Sequence, residues 1–365
     1  MSELLYRVAL TKIPKVGAIT AKNLISHCGS AESVFKAAKK DLILIPNIGP
    51  SVADNILKQD VLKWAEKELL FIEKNDIQVL CYSDKNYPER LKTEYDAPAL
   101  LYYKGNADLN HGRTVGIVGT RKPSTYAARI CEEITEGLKE YNPLIISGLA
   151  YGVDITAHRR CLEVNIPTVG VMGHGLQRMY PNEHREAARE MVENGGLLTE
   201  YPSDQDPDRE HFPMRNRIIA GLSDVLIVIE TGMHGGSMIS ANVALDYGRE
   251  LCAVPGRAGD KDAAGCNNLI RQHKATLIES ADDVATLMLW RDLDEKKVVQ
   301  AQMFVQLTDN QQLIVNVMHQ SEGGVTIDAL AYQTQLTQST TASLLLELEF
   351  KGVVRALPGK RFTTV

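Results

Sequence analysis

Between residues 114 and 256, short apolar runs, most of them bounded by glycine, alternate with longer amphipathic stretches. The runs are TVGIVG, LIISG, PTVGVMG, LLTE, VLIVIE and LCAVPG, and the amphipathic stretches between them include 126–141, 155–165 and 237–248. Apolar runs of this length are strands buried on both faces, and strand–helix alternation requires crossovers. The pattern therefore predicts an α/β fold, a parallel sheet with helices on both faces, spanning roughly residues 76–290. In such a sheet, ligands bind beyond the C-terminal strand ends, so the loops that follow the runs are where chemistry is expected.

Both flanks read differently. Up to residue 75 the chain carries a near-repeat, Ile13-Pro-Lys-Val-Gly17 and Ile45-Pro-Asn-Ile-Gly49, each followed by a helical apolar pattern. Proline ends an extended entry and glycine permits a tight turn, which is the layout of a pair of helix-hairpin-helix motifs. Such hairpins either present amides to DNA phosphates or only pack; Lys12, Lys15 and Lys22 are the nearby cations. Residues 291–305 read as a linker. From 306 to 365 three helical patterns precede VVRAL-PGK-RFTTV, a strand pair turning at Pro358-Gly359, which is winged-helix order. The third helix offers Gln338, Ser339 and Thr340, then Glu347 and Glu349, and this favours protein contact or weak DNA contact.

The 365 residues carry a net charge of −6, which argues against indiscriminate coating of duplex DNA but leaves room for a local basic groove. The segment 113–131 has four cations (Arg113, Arg121, Lys122, Arg129) and no acid. Six cysteines lack any CxxC pair and no HExxH occurs, so neither a metal site nor a disulfide framework is expected. No apolar run approaches the ~20 residues of a membrane span. The N-terminus has no signal-peptide pattern, so the expectation is a cytoplasmic protein with no membrane partner.

Three clusters fall at predicted strand ends. The first is Gly119-Thr120-Arg121-Lys122-Pro123, where glycine admits a close anion and the next helix N-terminus adds its dipole. A dinucleotide fingerprint needs GxGxxG, and here Arg121 and Lys122 stand in the loop, which suits a phosphodiester. The second is the run 206–217, with Arg209, Phe212, Arg215, Asn216 and Arg217; arginine forks bind phosphate and an exposed ring stacks a base. The third is Gly235-Gly236-Ser237 entering a helix, another anion site. Asp154 and His158, at i and i+4, read as an N-cap aspartate and a locally tied histidine in preference to an acid–base pair.

Seven blocks in order, GIVGTRKP, SGLAYGVDITAH, GLQRMYPNEH, LLTEYP, FPMRNRIIAGLS, GGSMISANVALDYGRELCAVPG and GCNNLI, resemble the DprA (DNA-processing) family. The resemblance covers most of 80–280. It implies a Rossmann-like core with helix-hairpin-helix and winged-helix accessories. It further implies a single-stranded-DNA-binding mediator that protects incoming DNA and helps load RecA during natural transformation. Such a protein acts as a homodimer, with no cofactor and no catalysis. The family's groove positions fall on Arg121, Arg209, Phe212, Arg215, Asn216, Arg217 and Gly235–Ser237. Two enzymes compete on the same fold. A nucleotide phosphoribohydrolase needs a glutamate after the Gly-Gly turn, whereas Glu230 precedes it; a dinucleotide oxidoreductase needs the missing fingerprint.

Overall fold

The computed structural model describes residues 3–58, 60–290, 307–321, 323–357 and 359–364. The expected linker lies outside the described residues, as does Pro358.

Six helices open the chain: α1 (Glu3–Thr11), α2 (Ala18–Cys28), α3 (Ala31–Lys36), α4 (Lys39–Ile43), α5 (Pro50–Lys58) and α6 (Val61–Lys74). The core follows, as β1 (Gln78–Cys81), α7 (Glu89–Lys92), β2 (Leu100–Gly105), β3 (Thr114–Gly119), α8 (Thr125–Gly137), β4 (Leu144–Ser147) and α9 (Val153–Val164). It continues with β5 (Thr168–Val171), α10 (Arg185–Glu193), β6 (Gly195–Thr199), α11 (His211–Leu222), β7 (Val225–Ile229) and α12 (Gly236–Asp246). It ends with β8 (Glu250–Ala253), α13 (Ala264–Arg271), β9 (Thr276–Leu277) and α14 (Ala281–Leu287). The last module is α15 (Asp309–His319), β10 (Val325–Thr326), α16 (Ile327–Thr334), α17 (Gln338–Phe350), β11 (Val354–Leu357) and β12 (Arg361–Thr364).

The sheet order is β1-β2-β6-β5-β4-β3-β7-β8-β9. All pairings from β6 to β9 are parallel, as the glycine-punctuated runs require. Side chains alternate between two cores: Val115, Ile117, Val225, Ile227 and Ile229 face one layer, Val118, Leu226 and Val228 the other. The sheet is nevertheless mixed, because β1 and β2 form an antiparallel hairpin that joins β6 antiparallel. This hairpin serves two cores. Leu80, Leu101 and Tyr103 pack into the main one, while Cys81, Leu100 and Tyr102 complete the core of the helical module.

The two N-terminal hairpins form, but their turns are not made by the glycines. Positive φ falls on Lys15 (69°) and Asn47 (65°), whereas Gly17 is extended (φ −90°) and caps α2. The first hairpin is braced against the core: Lys12 Nζ lies 3.4 Å from Asp204, and Trp64 Nε1 donates to the same carboxylate at 2.8 Å. Lys22 Nζ donates to the Tyr95 carbonyl at 3.2 Å and Lys15 Nζ to Ser51 Oγ at 3.3 Å. The C-terminal module has the expected helices and strand pair, and gains a third strand, β10, paired with β12. Among the described residues no helix is long and apolar enough to cross a membrane.

Candidate nucleic-acid interface

A cleft of about 670 Å³ opens where the loops after five parallel strands converge. It lies at the switch point of the sheet, since β3 is flanked by β4 and β7. Val118 and Gly119 end β3, Ala150 and Asp154 follow β4, Tyr180 follows β5, Arg209 to Asn216 follow β6, and Thr231 to Ser240 follow β7. Ten of the twelve site residues expected from sequence line this cleft: Gly119, Thr120, Arg121, Arg209, Phe212, Arg215, Asn216, Gly235, Gly236 and Ser237. Its charged lining is Arg121, Arg209, Arg215 and Asp154, so cations outnumber acids.

Arg121 and Arg209 are exposed, and no salt bridge is formed by either among the described residues. The Arg121 guanidinium stands 5.7 Å from the Phe212 ring centroid, and the Tyr180 ring centroid lies 5.9 Å from it. Phe212 is half-buried and belongs to none of the apolar cores, so its ring is a wall of the cleft. Aromatic and guanidinium planes side by side favour a planar, anion-bearing ligand.

Arg215 does different work. It is buried in the cleft floor, where Nη1 donates to the Val171 carbonyl, while Nε has no partner among the described residues. A Cβ on Gly148 would overlap both the Arg215 guanidinium and the Asp154 carboxylate, so glycine there lets the two charges approach. Burial lowers the Arg215 pKa and raises that of Asp154, with Arg215 pulling the latter back down. Asp154 does not cap α9, which is capped by Gly152; it reaches instead toward Arg215 and the Ala150 amide, 3.3 Å away. His158 is tied locally, Nε2 at 2.6 Å from the Gly148 carbonyl and Nδ1 at 2.7 Å from Thr168 Oγ1. Burial pushes its pKa down to about 4.

The two helix N-termini at the rim differ. The start of α8 is already served by the chain itself: Glu230 accepts from the Ser124 amide at 2.7 Å, and Ser124 Oγ accepts from Ala127. The dipole expected to help an anion at Gly119 is thus met by Glu230. Gly119 itself is explained by packing, since a Cβ would overlap the Ile229 carbonyl and Val153. The start of α12 is open. The Gly235 amide is spent on the Gly232 carbonyl, but Gly236 and Ser237 are the first two helical residues, whose amides have no acceptor within a helix. The hydroxyls of Ser237 and Ser240 are buried, line the cleft and have no hydrogen-bond partner among the described residues. Buried hydroxyls are normally satisfied, so this pair stands out on the cleft wall.

Two expected residues stand elsewhere. Successive helical residues turn by about 100°, so Arg217 points away from Arg215. Arg217 is bound to Glu200 and lies 3.9 Å from Asp96, with its side chain 12% exposed. It is a structural ion pair. Lys122 is exposed next to the cleft without lining it. Sequence reasoning missed Ser240 and Tyr180 as site residues. Ser240 sits three residues after Ser237, on the same helical face; Tyr180 stood inside a quoted motif and carried no charge to draw notice. The cysteines are free thiols, five of them buried.

The family model for DNA recombination-mediator protein A matches residues 78–289, one for a DprA winged helix domain residues 305–360, and one for a helix-hairpin-helix motif residues 7–59. DNA processing protein DprA of Bacillus subtilis (strain 168) is 40% identical over 229 residues, covering 62% of this chain and 75% of that protein. The X-ray structure of DNA processing protein A from Streptococcus pneumoniae is similar with a TM-score of 0.67 and 31% identity, covering 78% of this chain and 98% of that one. DNA processing protein A from Helicobacter pylori, whose structure gave insight into its single-stranded DNA binding mode, matches with a TM-score of 0.53 and 29% identity, covering 60% of this chain and 96% of that one.

Proposed function

Because the chain belongs to the DNA recombination-mediator protein A (DprA) family, we propose that it binds single-stranded DNA across the cleft at the strand ends and acts there without catalysis. The observation that carries the reading is the convergence of unpaired Arg121 and Arg209, the Phe212 ring, and the partnerless Ser237 and Ser240 hydroxyls on one open α-helix start. Arg121 and Arg209 neutralise phosphates, with Lys122 beside them at the mouth. Phe212 stacks a base, with Tyr180 as a neighbouring ring. The Gly236 and Ser237 amides and the two hydroxyls hold one further phosphate. Arg215 and Asn216 shape the floor. Duplex DNA keeps its base faces covered, so a stacking wall selects single strands.

The wider role that fits family membership is a cytoplasmic homodimer, paired through the core domain, that protects incoming DNA and helps load RecA during natural transformation. The phosphoribohydrolase alternative draws no support from Glu230, whose carboxylate is engaged by the Ser124 amide at the cap of α8.

Fluorescence anisotropy with labelled single- and double-stranded oligonucleotides tests the reading. The single strand is expected to bind far more tightly, and the preference to vanish in an Arg121→Ala/Phe212→Ala variant. Equal affinity for both forms, or release of a free base from a nucleoside monophosphate, would overturn it.

A further inference from the structure

The winged-helix module meets the core at the strand-start pole of the sheet, opposite the cleft. Asp224, just before β7 and 3% exposed, is the centre of that contact. Its carboxylate accepts from Arg90 Nε at 2.8 Å and Nη2 at 3.0 Å, and from Thr114 N at 2.9 Å and Oγ1 at 3.0 Å. A second guanidinium reaches it from the wing: Arg361, first residue of β12, places Nη2 3.0 Å from Asp224 Oδ1. Around this pair Lys360 lies against Gly248, and Gly323 against Gly112. Arg361 is largely buried by the contact, its side chain 16% exposed.

A winged helix that reads DNA uses cations on its third helix and its wing. Here α17 carries no lysine or arginine from Gln338 to Phe350, and it exposes Leu346, Glu349 and Phe350. The wing has the cations, and Arg361 is committed to the core. We infer that the wing of this chain is an intramolecular clamp: Arg361 docks the winged-helix module onto Asp224, a protein contact in the place where a DNA reader would hold a phosphate.

The clamp is built to be separable. When Arg361 leaves, Asp224 keeps Arg90 and Thr114, so no buried charge is stranded in the core, and Arg361 returns to water. Breaking most buried ion pairs strands one partner; this one does not. The clamp stands apart from the DNA reading, since it uses the opposite pole of the sheet and none of the cleft residues.

The test is a spin-label distance measurement on the full chain, with Cys28→Ser and labels at Tyr332→Cys and Glu163→Cys, both exposed positions. The wild-type background is expected to give one narrow distance. Arg361→Ala is expected to broaden it, with the docked fraction relative to the open one falling about ten- to a hundred-fold. Arg361→Lys, which keeps the charge but not the fork, is expected to fall between. Single-strand affinity is expected to stay unchanged throughout. A wild-type distribution as broad as that of Arg361→Ala would overturn the clamp. So would a narrow distance in Arg361→Ala, or a loss of DNA affinity on removing Arg361.

Discussion

The two poles of the central sheet are both rich in arginine, yet they are opposite in kind. At the strand starts, Arg90, Arg249 and Arg361 surround Asp224 and Glu94 in a closed cluster. At the strand ends, Arg121 and Arg209 face an open cleft, and two serine hydroxyls lining it have no partner among the described residues. The Asp224 carboxylate is met by Arg90, Arg361 and Thr114 within the chain, which makes that pole a piece of scaffolding. The other pole keeps donors in reserve for a ligand. Arg217 stands two positions from Arg215 in the cleft floor, yet it is ion-paired with Glu200 and does not line the cleft.

The comparison predicts that damage at the two poles reads out in different quantities. Asp224→Ala strands Arg90 and the Thr114 amide in the core, and the expected loss is about 3–5 kcal/mol of stability. Thermal unfolding measures it, and a Tm within error of wild type would break the comparison. The Asp224 pKa is lowered, with burial raising it and Arg90 and Arg361 outweighing burial. Its contribution is thus complete above the unfolded carboxylate range and lost as pH falls through the folded value, below about pH 4.

His158 adds a second pH window beneath the cleft. Its folded pKa, about 4, lies below the unfolded value, so its contribution is whole above about pH 6.5 and drains as pH falls toward 4. The slope approaches about 1.4 kcal/mol per pH unit, roughly 3 kcal/mol in all. Denaturant unfolding from pH 7 to pH 4 is expected to show this fall, and His158→Gln to flatten it.

At the cleft, Phe212→Ala is expected to weaken single-strand binding by about 1–3 kcal/mol through lost stacking. Its effect on Tm is expected to be small, since the ring belongs to no apolar core. A large Tm drop with unchanged affinity would reassign Phe212 to packing. The smallest effect sharpens the account of the α12 start. Ser240→Ala is expected to cost about 1 kcal/mol of affinity and no stability, because its hydroxyl has no partner to lose in the free protein. Binding titrations paired with melting curves separate the two.

The parallel core was legible because glycine-bounded apolar runs admit few other structures. The antiparallel hairpin β1–β2 was not, since QVLC is a four-residue run with no glycine beside it and LLYYKG shows no clear alternation. The hairpin motifs were legible, but their turns rest on Lys15 and Asn47, and a positive φ on lysine leaves no mark in sequence. In the site, residue type located the cleft, but not the pairing within it. Arg217 and Arg121 look alike in sequence; only the fold brings Glu200 to one and leaves the other open. The start of α8 failed for the same reason, since Glu230 reaches it from across 106 positions.

The most direct test of the central claim is the salt dependence of single-strand affinity for the wild type, Arg121→Ala/Arg209→Ala and Arg217→Ala. Each neutralised phosphate of a single strand contributes about 0.7 to the slope of log K against log salt. The account predicts that the double variant loses about 1.4 from that slope while Tm holds. Arg217→Ala should lower Tm and keep the wild-type slope. A double variant with an unchanged slope, or an Arg217→Ala slope reduced as much, would contradict the assignment of the cleft as the DNA-binding pole.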